Sequence, residues 1–449
     1  MNRPIVIIGV LFFVFGFVTW LGSVLIPYLH IACQLNTFSS YLVAFAFYIS
    51  YAVAAVPAAA VLRSTGYKKG MALGLLIMAV GAAVFIPAAL TRSYLLFLSG
   101  LFIQGTGLAI LQTAANPYVT ILGPLESAAR RISIMGVCNG IAGVIAPLII
   151  GSIALKDADA IRDKLTRLPA AQKTALLDTL AHRVIGPYAI IAVVIVLLAS
   201  WVFFSGLPEL DTNPTPETDN DNVAATKPDT ATKPVTATKP VAATKPRTSI
   251  FQFPHLLFGV LTLFLYVGVE VIAVDTIINY GTSQGIRLST ARNFSSFTLS
   301  SMLLGYLLGI LLIPKYLSQT LALKISAGLG LIFVLAALST SGLVSVIFIA
   351  FLGLANSLCW PSIWPLAING LGKFTAIGSS LLIVAIGGGA LLPLLYGWLA
   401  ELSTPQHAYW VVVPSYLSIA WYAMAGHKAG LKVILWIALF VFTGANAQE

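Results

Sequence analysis

Apolar runs of about twenty residues or more recur along the chain, each long enough to cross a bilayer as a helix. They fall near 4–29, 40–62, 70–90, 94–117, 131–155 and 184–206, and again near 254–281, 294–314, 320–340, 343–369, 375–400 and 407–426. The pattern predicts an all-α membrane protein with twelve transmembrane helices, six on either side of a polar stretch. The first run is too long and too apolar for a cleavable signal and reads as a span.

The two sets of six match one another. Gly143, Pro147 and Gly151 form G-x-x-x-P-x-x-x-G, and Gly389, Pro393 and Gly397 repeat it roughly half a chain later. One helix earlier, Gly105 and Pro117 recur at nearly the same offset as Gly353 and Pro365. The copies lie in the same order and orientation, which implies a parallel repeat. The expected organisation is a six-helix half at 1–206, a linker at 207–253, a second half at 254–426 and a tail at 427–449. The linker is rich in Pro, Thr, Ala and Lys, with Thr226-Lys227-Pro228 recurring three more times. Such a sequence cannot bury a core and stays solvated. The tail combines Lys432, a short apolar run and Ala445-Asn446-Ala447. It resembles a secretory signal peptide at the wrong end of a chain, and no function is assigned to it.

Composition sharpens this picture. The chain is 58% hydrophobic and 9% charged, where a soluble domain carries about a quarter charged residues. The net charge of +10 does not point to nucleic acid. Basic residues sit mostly in loops, among them Arg63, Lys68, Lys69, Arg130, Arg131 and Lys324, and orient the protein with both termini cytoplasmic. The loop at 156–183 is an exception, with basic and acidic residues mixed. Its apolar residues fall at helical spacing, so a short amphipathic helix on the outer surface is expected. Cys33, Cys138 and Cys359 fall in separate segments, which argues against a disulfide or a metal site.

Polar residues inside apolar spans carry the candidate chemistry, since lipid penalises them. Glu270 and Asp275 stand out in the seventh span. Asp275 and Asn279 are four apart and share a helix face. In the fourth span Gln112 and Asn116 are also four apart, and Asn139 adds an amide from the fifth. Uncharged amides suit a neutral polyol, which needs many hydrogen bonds and no counter-ion. Trp20 lies mid-depth in the first span, and Trp360 and Trp364 share a face of the tenth. An aromatic face can cover the apolar face of a sugar ring. Trp360 also falls opposite Gln112 when the halves are aligned. No nucleophile–base pair, clustered metal ligands or phosphate loop is present, which disfavours an enzyme.

The segment QTAANPYVTILGPLESAARRISIMGVCNG resembles the signature of the fucose–galactose–glucose branch of the major facilitator superfamily. FGFVTWLGSVLIPYL and WPLAINGLGKFTAIGSSLLIVAIGGGALLPLLYG extend the resemblance. It implies a sugar cavity between two six-helix halves, alternating access and a place in the bacterial inner membrane. It also implies that Asn139 binds sugar and that Trp360 is a cavity aromatic. Two positions depart from the proton-coupled fucose permeases. Ser23 stands where they carry an Asp, and Gln112 where they carry a Glu. Neither Ser nor Gln titrates near neutral pH. The expected protein is therefore a monomeric hexose importer, with glucose or galactose as substrate and the lipid bilayer as its other partner. It needs no bound cofactor, and sodium or the proton is the coupling ion. Coupling then falls to Glu270, with Asp275 and Asn279 nearby, and the substrate to Gln112, Asn116, Asn139, Trp360, Trp20, Ser23 and Trp364. A fucose or amino-sugar permease, an uncoupled facilitator and a transporter-like sugar sensor are the alternatives.

Overall fold

The computed structural model describes residues 3–121, 128–207, 249–313 and 315–429. The turn with Glu126, at 122–127, nearly all of the linker and most of the tail lie outside these residues. Among the described residues, eleven helical segments are long and apolar enough to cross a membrane. The twelfth expected span is built differently: a 3-10 turn at His407–Val411 runs into a helix of 13 residues, Val412–Met424.

Packing follows one scheme twice. The first span lies on the fifth, the second on the fourth, and the third on the fourth and sixth. Likewise the seventh lies on the eleventh, the eighth on the tenth, and the ninth on the tenth and twelfth. Between the two sets, the fifth span meets the eighth and the second meets the eleventh.

Several spans are interrupted, and each break has a local cause. The first is helical over Arg3–Thr19, turns at Trp20 and Leu21, and resumes over Gly22–Ala32. The Ser23 hydroxyl donates to the Trp20 carbonyl at 2.9 Å, satisfying a backbone acceptor at the break. The seventh runs over Pro254–Asp275, breaks at Thr276 and resumes over Ile277–Ser283. There the Thr276 hydroxyl donates to the Ile272 carbonyl at 2.8 Å, the back-bonding that bends helices. The tenth divides into Gly342–Asn356 and Cys359–Ile368. Pro361 has no amide to give the Ser357 carbonyl, so the ladder fails at that point. The first span otherwise sits hard against the fifth. A Cβ at Gly16 would overlap the carbonyl oxygen of Asn139, so only glycine allows this approach.

The two ends of the bundle differ. The loop expected to form one amphipathic helix on a surface forms two, Ala158–Arg167 and Ala170–His182, parted at Leu168-Pro169. Both rest on protein. Tyr28 donates to the carbonyls of Leu180 and Ala181 at 3.0 and 2.9 Å, and Arg92 pairs with Asp178 at 3.0 Å. At this same end, carboxylates bridge the first six spans to the last six. Asp159 accepts from the backbone amides of Leu288 and Ser289 at 2.9 and 3.0 Å. Glu401 accepts from the amide of Phe38 at 2.8 Å. The receiving segments are short helices, Leu288–Ala291 before the eighth span and Thr37–Ser40 before the second. These bonds close the bundle at what is called below the Asp159 end.

Candidate binding cavity between the two sets of spans

One cavity of about 120 Å³ lies between the two sets of spans, lined from both. This is well below the 300–1,000 Å³ of drug-sized pockets, so it suits a small ligand. From the first set come Trp20, Gln112, Asn116 and Asn139; from the second come Glu270 and Trp360. Six residues expected from the sequence are thus brought together, from the first, fourth, fifth, seventh and tenth spans.

Their hydrogen bonds show what each can still offer. The Trp20 indole N–H donates to Asn139 Oδ1 at 3.1 Å. That bond turns the Asn139 amide so that its NH2 group, with two donors, is left for other partners. Trp20 sits at the break in the first span, so the bond ties that break to the fifth span. Gln112 Nε2 donates to the Tyr51 hydroxyl at 3.4 Å, a long bond that fixes the amide loosely. The Tyr266 hydroxyl donates to Glu270 Oε1 at 2.7 Å, one turn back along the same helix. The acid therefore keeps one oxygen for the cavity. Trp360 is partly exposed to the cavity and stacks on Trp364, with ring centroids 5.3 Å apart and planes 24° apart.

Four expected site residues do not line this cavity. Ser23 is fully buried, its hydroxyl committed to the Trp20 carbonyl, because the helix break turns it away. Trp364 lies one turn beyond Trp360 and backs it from within the core. Asp275 ends the first helix of the seventh span, is 1% exposed, and lies against Gly22 of the first. Both of its carboxylate oxygens lack a hydrogen-bond partner among the described residues. Asn279 follows the break at Thr276 and lies beside Tyr41. The break also interrupts the helix face that Asp275 and Asn279 were expected to share.

Sequence reasoning missed the tyrosines. Tyr48, Tyr51, Tyr266 and Tyr306 all line the cavity. One signal was available: Tyr266 and Glu270 are four apart on a single helix. Tyr306 carried none. It reaches the cavity because the eighth span packs against Gly136 of the fifth, where its ring lies.

Comparisons with known proteins agree with this geometry. The model of the Major Facilitator Superfamily matches residues 8–389. The glucose/galactose transporter of Brucella abortus is 32% identical over 422 residues, spanning 93% of each chain. The L-fucose-proton symporter of Escherichia coli is 28% identical over 404 residues, spanning 89% of this chain and 87% of that one. Among solved structures, the superfamily transporter FucP in the outward conformation aligns with a TM-score of 0.70 and 27% identity. That alignment covers 95% of this chain and 99% of FucP. A family match over most of the length, and relatives of matching extent, make the assignment plain: this multi-pass membrane protein belongs to the Major Facilitator Superfamily, in its branch of glucose/galactose and fucose permeases.

Proposed function

We propose that the protein imports a neutral hexose, glucose or galactose, across the bacterial inner membrane by alternating access, driven by entry of a cation. Twelve spans form two six-helix halves, 1–206 and 254–426, joined by the cytoplasmic linker at 207–253. The single observation that carries this reading is the shared cavity, with neutral amides on one wall and Trp360 and Glu270 on the other. Amides can satisfy sugar hydroxyls without a counter-ion, an indole can cover the ring face, and the carboxylate can load a proton or a sodium ion. The names of the relatives, a glucose/galactose transporter and a fucose–proton symporter, support the same substrate class.

Coupling falls to Glu270 on this reading, since Gln112 in the opposite wall cannot titrate. On this reading the Asp159 end is the outer one, which the positive-inside distribution of most loops supports. The bonds of Asp159 and Glu401 then hold the outer face shut and must break for sugar to enter. The test is counterflow of labelled hexoses in proteoliposomes, with and without sodium and with an imposed proton gradient. Accumulation of glucose or galactose that follows one ion supports the proposal. Exchange that ignores both ions makes the protein an uncoupled facilitator. Exchange of fucose or amino sugars alone moves the substrate. No exchange of any sugar overturns the reading.

A further inference from the structure

Two aromatic side chains in the cavity wall lie on corresponding glycines of the repeat, one within the first set of spans and one across to the second. The glycine that opens each G-x-x-x-P motif leaves room for a ring. Trp20 lies on Gly143, where an added Cβ would be 2.5 Å from the indole. Tyr48 lies on Gly389, where an added Cβ would be 2.9 Å from the phenol ring. Tyr48 therefore reaches across from the second span to the eleventh, and it is held further by Phe47 at 5.1 Å and Tyr51 at 6.3 Å between ring centroids. Both rings are 4% exposed and both line the cavity.

Their polar atoms differ. The Trp20 N–H is satisfied by Asn139. The Tyr48 hydroxyl is buried and has no hydrogen-bond partner among the described residues. A buried hydroxyl without a partner is costly, and the ring cannot swing to find one while it is wedged on Gly389. Of the polar contacts expected from the sequence, the Asn139 side-chain carbonyl, the Gln112 amide and one Glu270 oxygen are each engaged within the protein.

We propose that the Tyr48 hydroxyl is a specificity-determining contact that reads one hydroxyl group of the bound hexose. The inference rests on the sugar-transport reading of this cavity and names a residue within it. A phenol both donates and accepts, so it pairs with a sugar hydroxyl in either sense. A site built around such a bond rejects an analogue lacking that hydroxyl, because the phenol then stays buried and unpaired.

The test is binding of D-glucose, D-galactose and their monodeoxy analogues to purified wild type and Tyr48→Phe, by calorimetry. Phe keeps the ring on Gly389 and removes only the oxygen, and matched thermal unfolding checks the fold. The expected result is a loss of affinity of about two- to tenfold for the parent hexose. It should vanish for one monodeoxy sugar, which wild type and variant then bind alike. Equal binding of every sugar by both proteins overturns the assignment. So does an equal loss for every analogue, since that marks a structural role. If wild type binds no hexose at all, the transport reading itself fails and the assignment fails with it. A wild type that binds hexose beside an unaffected variant rejects Tyr48 alone.

Discussion

The cavity and the Asp159 end treat the duplication in opposite ways. At the Asp159 end it is kept. An acid follows each G-x-x-x-P-x-x-x-G motif, Asp159 just beyond the fifth span and Glu401 in the last turn of the eleventh, and each accepts backbone amides from the other half. The receiving segments also correspond, one before the eighth span and one before the second. In the cavity the duplication is broken. Gln112 of the fourth span corresponds to Trp360 of the tenth in the repeat, and among the described residues the half with three amides has no acid in the wall. The physical lesson is that closing a seam asks the same of both sides, whereas binding a sugar and loading an ion ask different chemistry of each. Duplicated sequence is free to diverge where the two jobs differ.

The largest expected effect tests that division directly. Glu270→Gln keeps the shape of the side chain and its bond from Tyr266, but cannot take up a proton or hold a cation. Concentrative uptake should be abolished while sugar exchange down its gradient survives. If the variant still accumulates sugar, Glu270 is structural and the asymmetry of the cavity does not concern coupling.

Gly16→Ala comes next. The added Cβ meets the Asn139 carbonyl and must push the first span off the fifth. Overpacking of this kind costs about 1–3 kcal/mol. A lowered unfolding temperature in detergent, together with weaker hexose binding through a displaced Asn139, is expected. Unchanged values for both would show that the approach of these spans is looser than drawn.

Asn139→Ala should be milder. It removes an amide that faces the cavity and leaves the Trp20 N–H unpaired. A hydrogen bond is worth about 0.5–1.5 kcal/mol, so hexose affinity should fall about two- to tenfold. Unchanged binding by calorimetry, in folded protein, would remove Asn139 from the sugar site and leave the amide wall without its central member.

The smallest effect is expected at the seam, because Glu401 remains when Asp159 is changed. Asp159→Asn should raise the labelling rate of a cysteine placed at Ser289 by a membrane-impermeant reagent about two- to fivefold, in a background without native cysteines. That range corresponds to about 0.4–1 kcal/mol, a fraction of a charge-assisted bond. Acid should act alike, and its sign can be worked out. Partial burial pulls the Asp159 carboxyl upward, but the Ser289 hydroxyl, the two amides and Arg287 together hold it below its ordinary value. Lys156, Asp157 and Arg292 border the same hollow. The bonds therefore persist above the ordinary Asp range and weaken only as pH falls through the lowered value. Faster labelling already at mildly acidic pH would contradict this.

Much of the molecule was legible along the chain. Span positions follow from hydropathy, because lipid leaves a backbone few options other than the helix. The duplicated packing follows from the G-x-x-x-P-x-x-x-G pair, because close helix approach and helix breaking need those two residues and few others. The candidate residues Gln112, Asn116, Asn139, Glu270 and Trp360 stood out because polar and bulky groups at bilayer depth need a reason. What only the tertiary structure decided is which of them face one another. Hydropathy is averaged over a whole span, so it cannot register the break at Trp20, where the Ser23 hydroxyl turns back to the Trp20 carbonyl and the indole bonds Asn139. Nor can it register the break at Thr276 that parts Asp275 from Asn279. Tyr48, Tyr51 and Tyr306 read as ordinary membrane aromatics until the second span meets the eleventh and the eighth meets the fifth. Contacts of that kind join residues well over a hundred positions apart, and they exist only once the two sets of helices have packed.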